Sequence, residues 1–94
     1  MRQESVVLIP SPDVVSRRLG DTTVLIHLRT DKIFELNSTG SRLWELLDGG
    51  SDRERLQHEL LREFDVDREE LAREIDTLVS SLVSEQLVTV REPT

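Results

Sequence analysis

Two histidines, His27 and His58, are the only side chains suited by ordinary chemistry to pass a proton near neutral pH. Neither has neighbours that would complete a catalytic set. His58 sits between Glu54 and Arg62 at helical spacing, which reads as a surface salt-bridge position. His27 falls in the middle of a strand-like run. There is no cysteine, so no thiol nucleophile, thiolate metal site or disulfide framework can be built. No phosphate-binding glycine loop, HExxH helix or activated-serine motif occurs, and the glycines fall at turns and helix ends. These residue types point away from an enzyme: no catalytic residue, no metal ligand set and no cofactor is expected. What remains is chemistry done by backbone hydrogen bonds and apolar contact.

The stretch most able to do that runs from Lys32 to Gly50. Ile33-Phe34-Glu35-Leu36 alternates so that Phe34 and Leu36 share one face of a short strand. Asn37 or Ser38 then caps a helix whose Leu43, Trp44, Leu46 and Leu47 form a buried stripe, and Asp48-Gly49-Gly50 ends it. Upstream, Val14 to Leu19 and Thr22 to Arg29 read as a hairpin joined by Gly20-Asp21, with glycine where a type II′ turn needs positive φ. In the second strand Thr22, Val24, Ile26 and Leu28 share the face expected to meet the core, with Thr23, Leu25, His27 and Arg29 opposite. Thr30-Asp31-Lys32 makes the next turn. The result is a three-stranded meander whose third strand, Ile33 to Leu36, lies at an edge.

Downstream, Ser51-Asp52-Arg53-Glu54 matches a capping box and opens a second helix with Leu56, Leu60, Leu61 and Phe64 on its buried side. Asp67 caps a third helix that runs to about Glu85, with Leu71, Ile75, Leu78, Val79, Leu82 and Val83 on an apolar arc of about 140°, wider than a minimal stripe. The fold class expected is α+β and winged-helix-like: a three-stranded antiparallel sheet followed by three helices. The 94 residues make one domain, with 1–12 a flexible arm or extra strand and 91–94 a frayed tail.

Charge narrows the partners. Nineteen acidic against twelve basic residues give a net charge of −7, which opposes nucleic acid and anionic lipid. The third helix, the natural DNA reader in such a fold, carries a net −4 from Asp67 to Glu85, so it repels phosphates. The longest apolar run, Val6 to Ile9, is far short of a membrane span, and no secretory signal is visible, so the expected location is the cytoplasm. A third strand with no proline and one charge can accept an extended peptide by strand addition. Periodicity leaves open whether the third helix or the N-terminal segment covers that edge.

The residues TDKIFELNSTGSRLWELLDGG, preceded by VVSRRLGDTTVLIHL and followed by two capped helices, resemble the PqqD-like family of leader-peptide recognition elements, which serve in making ribosomally synthesised, modified peptides. The specific part is Leu36-Asn37, Gly40 and the run from Leu43 to Gly49. A free-standing domain of this length is similar to the small, leader-binding subunit of the split lasso-peptide maturation protease. The resemblance implies a non-catalytic adaptor on which the leader of a precursor peptide docks as an extra antiparallel strand. Partners would be that leader, presenting an aromatic residue and a proline, and a separate cysteine protease subunit. Carried onto this chain, the backbone contacts fall on Lys32, Ile33, Phe34, Glu35 and Leu36. Groove walls come from Phe34, Leu36 and the helical flank of Ala72, Asp76, Val79 and Val83, with the opposite flank of Glu74, Leu78 and Ser81 open as the alternative. A winged-helix transcriptional or protein-interaction module is the other reading.

Overall fold

The computed structural model describes residues 7–91. The two-residue link works as its sequence requires. Gly20 takes a φ of +65° while Asp21 does not enter the left-handed region. That lets β2 (Val14–Leu19) turn directly into β3 (Thr22–His27), with Leu19 opposite Thr22 and Val14 opposite His27. β3 then pairs with β4 (Lys32–Leu36), from Thr23 opposite Leu36 to His27 opposite Lys32. The connection is a four-residue loop, Leu28 to Asp31, not the Thr30–Lys32 turn expected. Asp31 adopts a φ of 63° and its N–H donates to the His27 carbonyl at 2.8 Å, which ends β3 at His27 and frees Lys32 to begin β4. The order β2-β3-β4 leaves β4 at an edge.

The buried face of β3 is the reverse of the one expected. Thr23, Leu25 and His27 are buried, while Ile26 and Leu28 are exposed. The apolar alternation was misleading because His27 can be buried at little expense. Its Nε2 lies 3.1 Å from the Gln86 carbonyl oxygen, to which it donates, and its Nδ1 accepts from the Arg29 N–H at 3.2 Å. Both ring nitrogens are satisfied, so the usual penalty for burying them is avoided. Directly opposite residues share a face, so Leu25 and Phe34 point inward together, as do Thr23 and Leu36.

Three helices close over that inner face. α1 (Ser38–Leu46) is capped by Asn37, whose Oδ1 accepts from the Gly40 N–H at 2.9 Å. The buried Ser41 hydroxyl reaches the Asp21 carbonyl at 3.1 Å and the Leu36 carbonyl at 3.3 Å, fixing the helix start to the hairpin and to the end of β4. α2 (Arg53–Glu63) is capped by Asp52, not by Ser51. Ser51 instead lies in a short strand, β5 (Ser51–Asp52), with its hydroxyl accepting from Arg55 at 2.9 Å. α3 (Arg68–Ser84) starts at Asp67, as the sequence indicates. It ends with Gln86 at a φ of 62° and the Leu87 N–H reaching back to the Leu82 carbonyl, a closure that usually uses glycine.

A second sheet, β5-β1-β6, joins distant parts of the chain. β1 (Val7–Pro10) lies between β5 and β6 (Val88–Arg91), pairing with both. The expected arm at 1–12 thus includes a central strand from Val7; residues 1–6 lie outside the described residues, as does the expected frayed tail apart from Arg91. Leu8, Leu25, Leu36, Leu43, Leu56, Leu60, Leu71, Ile75 and Leu82 make one core across both sheets and all three helices. The architecture is α+β, with a three-stranded meander ahead of three helices.

Candidate functional site

The site starts from backbone parity. In an antiparallel sheet each residue directs both its N–H and its C=O to the same neighbouring strand, and successive residues alternate. On β3, Leu28 just beyond the strand donates to Asp13 on the β2 side, and His27 accepts from Asp31 on the β4 side. Odd-numbered β3 residues therefore bond to β4. Their partners Lys32, Phe34 and Leu36 spend their backbone groups inward, and Ile33 and Glu35 present theirs outward. No described strand pairs with this edge. Two N–H groups and two C=O groups stand ready for another strand.

α3 runs past the same edge, and polar contacts tie its C-terminal end to the sheet. His27 holds the Gln86 carbonyl, and Lys32 Nζ lies 3.3 Å from Glu85 Oε1. Just past the other end of β4, the start of α1 and the side of α3 flank a cavity of about 450 Å³. One wall is Asn37, Thr39 and Gly40 at the capped start of α1, and the other is α3 from Glu70 to Ser81. Gly40 has a structural reason to lack a side chain, since a Cβ would stand 3.2 Å from Leu36 Cβ and 3.3 Å from Asn37 Oδ1. The interior is apolar, with Ile75 buried and Leu78 half-buried, while Glu70, Glu74 and Arg73 lie at the rim. A space of this size takes one or two side chains of a peptide whose backbone lies along β4.

Lys32 to Leu36 fall where the sequence places them, with a division that periodicity alone does not give. Phe34 and Leu36 face the core, Phe34 half-buried, whereas the side chains of Ile33 and Glu35 point to the opposite, solvent-facing side. The helical flank of Ala72, Asp76, Val79 and Val83 is turned away from the cleft. Arg53 of α2 donates to the Ala72 carbonyl at 3.1 Å and pairs with the Asp76 carboxylate, so this side of α3 faces α2. Val79 and Val83 follow at helical spacing on the same side. It is the alternative flank of Glu74, Leu78 and Ser81 that lines the cavity. The wide apolar arc contained both flanks, and only the position of α2 separates them. Thr39 and Thr77 also line the cavity and were not singled out from sequence, because small polar residues there carry no pattern.

The strongest fixed charges lie elsewhere. Arg42 on α1 forks onto Glu63 of α2 at 2.7 and 2.9 Å and meets Glu45 at 2.9 Å. Donating hydrogen bonds to Glu63, and then to Glu45, raises the Arg42 guanidinium pKa; accepting from Arg42 holds the Glu63 carboxyl below the usual carboxylate range. Glu45 also contacts Arg18 of β2, so this network braces α1 against α2 and against the far edge of the sheet. Among the described residues no group of three or more His, Asp or Glu is placed to hold a metal ion, and no helix is long and apolar enough to cross a membrane.

Comparison with known proteins identifies the family and the fold. The family model for coenzyme PQQ synthesis protein D, PqqD, matches residues 22–88. The solved structure of TbiB1 in complex with the TbiA(beta) leader peptide is 34% identical, covers 85% of this chain and 93% of that one, and superposes with a TM-score of 0.78. Lasso peptide synthetase B1 complexed with the leader peptide is 23% identical over 87% of this chain and 96% of that one, with a TM-score of 0.75, a likeness of fold. No curated protein sequence matches.

Proposed function

The chain belongs to the PqqD family, and from that membership we propose that it is a non-catalytic adaptor that captures the leader of a ribosomally made precursor peptide as an added strand on β4. The observation that carries the reading is the unpaired edge of β4 beside an apolar cavity. TbiB1, 34% identical to this chain, is held with a leader peptide, and that occupant has the chemistry this edge would accept. In the proposal the guest backbone bonds to Ile33 and Glu35. Lys32, Phe34 and Leu36 hold the strand in place, and an apolar or aromatic guest side chain enters the cavity between Gly40 and Leu78. The bound precursor is then passed to a separate enzyme in the cytoplasm, a cysteine protease that cuts leader from core. This chain carries no cysteine nucleophile of its own, in keeping with that division of labour.

Magnitudes say which contacts matter. Four ladder bonds at ~1 kcal/mol net and two apolar anchors at ~2 kcal/mol each give ~8 kcal/mol, against ~2 to 5 kcal/mol to order a flexible leader. Backbone pairing alone would leave weak binding, so the cavity must supply much of the affinity and selectivity. Calorimetric titration with a synthetic precursor leader tests this. One-to-one binding is expected, lost when a proline replaces a leader residue whose N–H faces β4 and kept when it replaces the next residue. Equal tolerance of both prolines would rule out strand addition.

A further inference from the structure

The face of the β2-β3-β4 sheet turned away from the helices is apolar and uncovered by any described segment. Register arranges it in rows across the three strands: Val15, Ile26 and Ile33 in one, Arg17, Val24 and Glu35 in the next, Leu19 and Thr22 in the last. Val15 is 47% exposed, Leu19 54% and Ile33 70%. A solvated sheet face ordinarily carries polar residues at such positions. We propose that a second copy of this chain packs on this face, forming a weak two-fold dimer of stacked sheets.

The charge order selects that occupant and its geometry. Aligned sheets stack about 10 Å apart with strands within about 30° of parallel. A two-fold axis along the strands lays β2 of one copy over β4 of the other, setting Arg17 against Glu35 twice and the Val15-Ile26-Ile33 row against itself reversed. An axis across the strands sets β2 over β2 and β4 over β4, so it never brings Arg17 opposite Glu35. Neither Arg17 nor Glu35 has an ion-pair partner among the described residues, so both are available to the second copy. Strand spacing and rise make the face roughly 15 by 20 Å. That is small beside the ~800 Å² per partner of a standard interface, so the association is weak and reversible. The outward backbone groups of Ile33 and Glu35 stay at the side of the stack, and self-association is independent of peptide capture.

Sedimentation equilibrium from about 5 µM to 1 mM tests this, with Arg17→Glu, Glu35→Arg and the double reversal. All these side chains are exposed, and circular dichroism confirms each fold. The wild type should shift from monomer to dimer across the series. Each single reversal should weaken association by about tenfold or more, and the double should restore it to within about threefold. A wild type that stays monomeric at 1 mM overturns the proposal outright, as does a dimer that ignores the single reversals or is not rescued by the double.

Discussion

The meander has two edges, β2 and β4, and only one is equipped to receive a guest. By the parity that exposes Ile33 and Glu35 on β4, β2 presents Val14, Ser16 and Arg18. The Val14 N–H is already used by the Ser11 carbonyl at 3.2 Å. Arg18 bends back to the Gly20 carbonyl at 2.8 Å and to Glu45, placing charge across the edge. The neighbouring cavity, about 440 Å³, is lined by Pro10, Val14, Ser16, Trp44, Glu45 and Asp48, and Glu45 there is already held by Arg18 and Arg42. One strand edge is blunted by Arg18, in the way sheets commonly discourage foreign strands. The other is left open beside an apolar pocket. An edge becomes a site through what flanks it, since the backbone template is the same on both sides.

The largest effect should come from proline at the two edges. Glu35→Pro removes an outward N–H and puts a ring in the path of the guest, while the β3–β4 ladder bonds stay intact. Leader affinity should fall at least thirtyfold or so, with folding stability changed by no more than about 1 kcal/mol. Ser16→Pro, its counterpart on β2, should leave affinity alone. Calorimetry and thermal melts on the pair read both, and equal losses would erase the distinction between the edges.

A smaller effect separates the two flanks of α3. Leu78→Ala takes apolar surface out of the cavity and should weaken leader binding by about tenfold, whereas Asp76→Ala, on the side facing α2, should change it by less than about twofold. Reversed sensitivities would return the site to the flank first expected.

The smallest effect concerns the brace behind β2. Glu63 has a folded-state pKa below its unfolded value, so its contribution is complete above the usual carboxylate range and fades as pH falls through the lowered value. The melting difference between wild type and Glu63→Gln should therefore be modest at neutral pH and vanish in acid. Leader affinity at neutral pH should be the same in both. A change in affinity would mean that the brace also shapes the β4 cleft.

Much of the fold was legible because local signals agreed: the Gly20-Asp21 link, the Asn37 and Asp67 caps, and the leucine stripes of the helices. The edge position of Ile33 to Leu36 followed from them. What was not legible depended on contacts distant in sequence. The buried face of β3 turned on a carbonyl at Gln86, 59 residues from His27. The outer face is apolar enough to pass for a core face, so alternation favoured it. β1 became a central strand only because Ser51–Asp52 and Val88–Arg91 flank it. Ser51 looked like the cap of α2 until β5 claimed it. The cavity flank of α3 was decided by Arg53, which has no signature in the helix it touches.

Residue-resolved amide exchange with and without a precursor leader tests the central claim most directly. In the free protein the Phe34 amide should exchange slowly and those of Ile33 and Glu35 quickly. Saturation with leader should protect Ile33 and Glu35 and leave Ser16 and Arg18 unchanged. A leader that binds fully without slowing Ile33 and Glu35, or that protects β2 instead, would contradict capture on the β4 edge.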